Sequence, residues 1–355
     1  MEAYIRGIGN ISPQHSWDNG QFLPDIVMHD ANRLKCIEPE YKEFIKPMQM
    51  RRMSRILKMG IAAAARCLQD AGVEKPDAMI MGTGLGMFAD TEKFLKAVID
   101  NQETLLTPTS FIQSTHNTIG AHIAVMLKCN AYNLTYVNDY LSFESALLDS
   151  LIRLKENTSE KILMGGIDEM TNIYFKITEN AGWWKKDLDS NLGMLEHKEK
   201  GTIAGEGASF FVVTGEEHPD NYAKFAGVKT FYKPVSLEER DHFILNFLSE
   251  NELDVADIDL VISGVNGDYE ADKEYYSLQN GLFNDTAMAY YKHLCGEYFT
   301  ASSFASWLGA RILKEQAWPA EIMLKENDLS APLKNILIYN QHHNTRHGLI
   351  LLTAC

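Results

Sequence analysis

Short apolar runs alternate along the chain with stretches in which apolar residues recur every three or four positions. The first pattern marks buried strands and the second amphipathic helices, and their regular alternation is that of an α/β protein with a buried sheet. In the first half the pattern predicts a helix over Met53–Gly72, ending at the glycine stop, and a strand over Ala78–Gly82. A helix over Phe111–Leu127, a strand over Asn133–Asn138, a helix over Phe143–Glu156 and strands over Lys161–Gly165 and Ala208–Val213 follow. In the second half it predicts helices over Leu237–Leu253, Asp272–Leu282 and Ser302–Gln316, with strands over Asp259–Gly264 and Thr286–Tyr291 and two closing strands.

Helix, short acidic turn and strand recur in the same order as AARCLQDAGVEKPDAMIMGTGLG and ILNFLSENELDVADIDLVISGVNG. This points to duplicated halves, although any two βα units share some of that appearance. We place the halves at 1–215 and 216–355.

A length of 355 residues with 45% hydrophobic content is enough for a substantial core and excludes disorder as the main class. The five cysteines are scattered without a CxxC pair, and no secretory leader is visible, so a reduced, cytoplasmic protein is expected. No apolar run approaches the roughly 20 residues of a membrane helix. A net charge of -15 argues against nucleic acid, whose affinity comes largely from Lys and Arg at phosphates. One basic spot departs from this balance: KPMQMRRMSRILK gathers Lys46, Arg51, Arg52, Arg55 and Lys58. It fits either an acidic ligand or a solvated helix start.

Several segments, in order over almost the whole chain, carry a resemblance. They are GIGNISP, the basic helix RRMSRILKMGIAAAARCLQDAGV, MGTGLG, FIQSTHNTIGAHIAVMLKCNAYNLTYV, LMGGIDE and GTIAGEGASFFVV. Together they resemble the β-ketoacyl-ACP synthase family of the thiolase fold. The resemblance implies a five-layer α-β-α-β-α sandwich of two duplicated halves. It also implies a dimer formed through the strand before the nucleophile, here Asn133–Asn138, and no cofactor or metal.

A decarboxylating ketosynthase needs a thiolate at a helix N-terminus, where the helix dipole and backbone N–H groups stabilise the anion, and two histidines near the thioester. In this chain the resemblance puts Tyr140 at the nucleophile, Gly264, within one residue, at the first histidine and Glu297 at the second, with Lys292 and Gly296 retained. A phenol with a pKa near 10 is mostly protonated at neutral pH and is a poor replacement for a thiolate. Ser142 is the nearest hydroxyl. It falls with Lys292, His342 and His343 among the implied pocket residues, but without a GxSxG elbow it reads as a helix-capping or packing serine. Glu297 cannot supply the neutral imidazole N–H that stabilises an enolate.

The family's gating loop corresponds to YNQHHNTRHG, changed in character. The trio His342, His343 and His347 raises a metal reading, but a hydrogen-bonding cluster in the old pocket is favoured because no carboxylate or cysteine completes a ligand set. His116 and His122 sit on one predicted helix without i, i+4 spacing. Trp183 and Trp184, with Lys185 and Lys186, fall in a loop as an interface or a surface lid.

Loss of all three catalytic positions on an intact framework resembles the chain-length-factor subunits, which pair with an active ketosynthase. The implied partners are that synthase, or a second copy of this chain, and an acyl carrier protein, met through Arg51 and Arg52. The pathway would be fatty-acid, polyketide or aryl-polyene-type biosynthesis. The alternative is an active acyl-ACP condensing or acyl-transfer enzyme with a non-standard catalytic set. A small-molecule sensor ranks below both, since no effector domain is visible.

Overall fold

The computed structural model describes residues 2–186, 188–326 and 332–355. The first half contains β1 (Tyr4–Ile11), a short turn α1 (Pro47–Met50), α2 (Arg55–Ala71), β2 (Ala78–Gly82), α3 (Phe88–Asp100), α4 (Pro108–Gln113) and α5 (Thr118–Leu127). It continues with β3 (Tyr132–Tyr136), α6 (Ser142–Lys155), β4 (Lys161–Asp168), α7 (Asn172–Asn180) and β5 (Gly207–Thr214). The second half contains β6 (Lys224–Tyr232), α8 (Leu237–Glu250), β7 (Leu260–Ser263), α9 (Lys273–Asn280), β8 (Ala287–Tyr290) and α10 (Lys292–Cys295). It ends with α11 (Ala301–Glu315), β9 (Met323–Lys325), β10 (Asn335–His342) and β11 (Arg346–Thr353).

The strands lie in the order β3-β2-β4-β5-β1, then β6-β11-β10-β7-β8-β9, and the two sets join where β1 meets β6, paired at Tyr4↔Lys224 with Phe225 N–H donating to the Ala3 carbonyl beside it. Either side of that seam the order repeats in mirror sequence: parallel pairs β2/β3 and β2/β4 answer parallel pairs β7/β8 and β7/β10.

The layering follows from the alternation of side chains along strands buried on both faces. In β2, Ala78 and Ile80 enter a central core while Met79 and Met81 enter an outer one with α2 and α5. In β10, Ile336 and Ile338 face the same central core, and Leu337 and Tyr339 face a second outer core with α8 and α9. The central core is filled by Phe143 and Leu147 of α6 and by Phe304, Trp307 and Leu308 of α11. Two sheets thus enclose α6 and α11 and are themselves covered outside, giving the five-layer α-β-α-β-α sandwich.

The predicted elements match these closely, with differences that include β6, which was not predicted. The helix expected over 111–127 breaks between α4 and α5, where Ser114 bonds back to the Phe111 carbonyl and Thr115 and Thr118 share a hydroxyl contact. Such local side-chain bonds compete with continued helix. His116 therefore lies in the break and only His122 on α5. Two further helices, α3 and α7, were not predicted; both carry apolar residues at helical spacing, but these stay at least partly exposed and only Asp90 and Thr178 respectively are buried.

The segment before β5 crosses to the second half. The Glu297 backbone N–H donates to the Ile203 carbonyl and the Glu297 carbonyl accepts from Gly205 N–H, at 2.7 and 3.0 Å. This approach requires glycine on both chains: a Cβ on Gly205 would lie 2.0 Å from the Cys295 carbonyl oxygen, and Gly296 has φ +75°. Gly205→Ala is expected to destabilise the protein by about 2 kcal/mol or more through this backbone overlap, measured by denaturant unfolding. An unchanged midpoint would contradict the crossing.

Candidate functional site

A cavity of about 490 Å³ opens at the C-terminal ends of the strands, between the halves. One side is aromatic, with Tyr140, Trp183, Trp184, His342 and His343; the other carries Asn266, Asp268, Glu270, Glu274 and Glu297.

Tyr140 sits in the turn that leads from β3 into α6. Its predecessor Asp139 has φ +53° and is held from the second half by Arg346, whose Nη2 lies 2.9 Å from Asp139 Oδ2. The phenol ring is 4% exposed. The His342 ring stacks on it at 3.4 Å and 12°, and Phe299 packs against it at 4.6 Å. Burial, reinforced by the Glu297 carboxylate, pushes its pKa well above that of a free phenol. His342 is driven the other way, to about 2, by burial and by its neighbours His343, Lys292 and Arg346, so it is neutral at physiological pH.

Glu297 occupies the floor. Its Oε2 accepts from Lys292 Nζ at 2.6 Å and from Asn266 Nδ2 at 2.7 Å, and Lys292 is 1% exposed. Beside it Asp168 Oδ1 accepts from Thr83 Oγ1 and from Gly84 and Leu85 N–H, and Oδ2 from Thr300 N–H and Oγ1. This carboxylate ties the MGTGLG turn and the end of β4 to the start of α11. Burial still raises its pKa to about 6.

Tyr140, Glu297, His342 and His343 therefore meet in one cavity, with Lys292 behind Glu297 rather than in the lining. Ser142 is not in the lining either: it is fully buried, donates to the Asp139 carbonyl and accepts from Asn138 N–H. Gly264 ends β7 with no room for a side chain, since a Cβ would lie 2.3 Å from Asn340 Oδ1. The residue that reaches into the cavity from that turn is Asn266, two positions on. The VNGD turn was the available signal for it.

His347 stands apart from His342 and His343, with its ring against Phe231 and its Nδ1 2.9 Å from Tyr339 Oη. Among the described residues no cluster of three or more His, Cys, Asp or Glu side chains is arranged to hold a metal ion. His293 is buried against Tyr290, outside the cavity.

Two expectations need correction. Trp184 and Lys185 are not surface groups: Trp184 Nε1 donates to Thr178 Oγ1 at 2.7 Å and Lys185 Nζ is held by the His197 and Glu199 carbonyls. With Trp183 and Trp184 in the lining, the pair forms a wall of the cavity. In the basic spot, Arg55 makes a bidentate pair with the buried Glu206, leaving Lys46, Arg51 and Arg52 exposed around α1 and its following turn.

The layering described above is that of the thiolase fold. Residues 29–199 match the family model described as the β-ketoacyl synthase N-terminal domain. No curated protein matches it by sequence. Among solved structures, the ishigamide ketosynthase/chain length factor superposes with TM-score 0.79 at 16% identity, covering 100% of this chain and 99% of that one. AntDE:AntF, a type II PKS acyl-carrier protein in complex with its ketosynthase, gives 0.79 at 11% identity over 100% and 99%. The ketosynthase ApeO in complex with its chain length factor ApeC from Xenorhabdus doucetiae gives 0.76 at 13% over 100% and 98%. At these identities the likeness establishes the fold.

Glu144, in the first turn of α6, has both carboxylate oxygens buried without a well-formed hydrogen bond. Burial raises its pKa to about 7, only partly offset by Ser302 and Lys292 nearby. A carboxyl with a raised folded pKa contributes stability at low pH that is lost as pH rises through that pKa. Glu144→Gln should therefore melt close to wild type at pH 4 and higher at pH 8, by on the order of 2 kcal/mol. Equal melting temperatures at pH 8 would refute this.

Proposed function

We propose that the chain is a non-catalytic, chain-length-factor-like partner of an active ketosynthase, working in the cytoplasm on carrier-bound acyl chains in fatty-acid, polyketide or aryl-polyene-type biosynthesis. The observation that carries this is the state of the nucleophile position. Tyr140 is a protonated phenol with its ring packed against His342 and Phe299, a group far less able than a thiolate to carry an acyl chain. Glu297, at the second histidine position of the resemblance, accepts hydrogen bonds from Lys292 and Asn266, so an acceptor stands where a donor to an enolate would be needed. The division at 215/216 into two thiolase-like halves belongs to the same reading.

A pairing surface supports it. β3 is the outer strand of the first-half sheet, hydrogen-bonded only to β2. An open edge is a template for another strand. Leu134 and Val137 are exposed at or just past it, as are Leu148 and Ile152 on α6 and Val125 on α5. Two of the structural neighbours are by their titles ketosynthase and chain length factor together, and a third holds an acyl-carrier protein. In this reading Arg51 and Arg52 meet the acidic carrier, or the partner's equivalent residues do.

Co-expression with a candidate ketosynthase encoded nearby should yield a one-to-one complex whose product length differs from that of the synthase alone. A monodisperse homodimer that neither binds the synthase nor alters its products would overturn the proposal. Leu134→Asp, on the exposed edge, should weaken co-purification by about tenfold or more without lowering the melting temperature of the isolated chain.

The alternative, a surviving acyl-transfer activity, has a separate readout. Incubation of the chain alone with malonyl- and acetyl-ACP should leave its intact mass unchanged and release no carbon dioxide. A stable acyl adduct or rapid decarboxylation would establish the enzyme instead.

A further inference from the structure

The helices that cap one end of the first-half sheet leave their apolar residues in water. α3 and α7 start just past the ends of β2 and β4, and they are joined by the Thr171 hydroxyl donating to Glu92 and by the rings of Phe88 and Tyr174, 5.4 Å apart. α4 lies against α3 through Phe111 and Phe94, also 5.4 Å apart. Leu95 and Ile99 on α3 and Ile173 and Ile177 on α7 are i, i+4 pairs, so each pair forms a stripe along one side of its helix. These four residues and Phe111 and Ile112 of α4 are each half or more exposed, and Leu105 in the α3–α4 connector is 94% exposed. A monomer rarely leaves so many large apolar side chains uncovered on neighbouring elements.

Three observations indicate what covers them. The surface continues the open edge of β3: the turn that leads into α3 is bonded to the end of that strand by Thr83 N–H and the Tyr136 carbonyl. From the other side, α4 leads through residues 114–117 into α5, whose Gly120 carbonyl accepts from Asn133 of β3. The edge by itself is also small, a strand of 5 residues, whereas a stable pairing takes roughly 800 Å² and about 20–30 residues from each partner. Finally, the three helices carry Lys93, Lys96 and Lys176 against Asp90, Glu92, Asp100 and Glu179, with Lys96 and Asp100 paired at 3.5 Å. That balance offers no basic excess to an acidic carrier protein and suits an apolar protein surface of little net charge.

We propose that α3, α4 and α7 form the second part of the pairing face, so that one continuous surface from the β3 edge across these helices seats the partner ketosynthase. The inference rests on the partner reading above and adds to it a surface outside the strand edge.

The test is co-expression of the full chain with the ketosynthase encoded nearby, followed by measurement of the dissociation constant of the purified pair. Ile99→Lys and Ile177→Lys place a charge on the exposed stripes while keeping a residue that favours a helix and its last turn. Each should weaken pairing by about tenfold or more, with the melting temperature of the isolated chain retained. Val235→Lys, at an equally exposed apolar position of the second half, should pair as wild type. Wild-type affinity in both folded helix variants, while Leu134→Asp loses pairing, would overturn this inference and leave the partner reading standing. Absence of pairing by the unaltered chain would overturn both. A homodimer of the isolated chain that Ile99→Lys dissociates would give the surface to a second copy, and an equal loss in Val235→Lys would remove its specificity; either overturns the proposal.

Discussion

The buried ion pair of Lys292 and Glu297 is the constraint around which the cavity is built. Two charges removed from water are tolerated only when close and further hydrogen-bonded, and leaving one alone costs roughly 3–5 kcal/mol. Here the geometry is enforced by backbone. Glu297 is bound on both its N–H and its carbonyl to residues 203–205, and the absence of side chains at Gly205 and Gly296 brings those chains together. Asn266 adds a third donor from the turn after β7. Three separate parts of the chain thus converge on one carboxylate, which limits the positions available to the rings and acids around it.

Asp168 and Glu206 perform the same service for the framework. Asp168 takes donors from the turn after β2 and from Thr300 at the start of α11. Glu206 takes both guanidinium nitrogens of Arg55 together with the Cys36 and Met170 N–H groups. These are the acidic residues of the LMGGIDE and GTIAGEGA segments. Their part in the structure is to hold turns in place. His342 lies flat on the ring of Tyr140, so one face of that ring is covered from the side of the altered loop while both residues still line the cavity.

Much of the architecture was legible because strands buried on both faces and helices with an apolar stripe leave strong periodic signals. α2, β2 and α11 came within two residues of their predicted limits, whereas α3 and α7, whose apolar residues are left at least partly exposed, were not predicted. Within the site, order along the chain pointed to 140 and 297, and both residues line the cavity. The placement of Ser142 and Lys292 outside the lining did not follow from it, because both point into packed interior from elements whose sequence is equally compatible with facing the cavity. The two tryptophans were misjudged for a related reason: a loop sequence does not say whether a ring is covered, and Trp184 is covered by its own bond to Thr178.

By itself the sequence determined the α/β alternation and most of the elements that carry it, since each depends on residue type and local period. Only the tertiary structure decided how the residues at 140 and 297 are surrounded: a neutral histidine stacked on a buried phenol, a buried lysine–glutamate pair, and two tryptophans in the cavity lining. The stacking and the backbone hold of residues 203–205 on Glu297 join distant parts of the chain, where burial sets the charge state and backbone crossings set the distance. No local pattern encodes either.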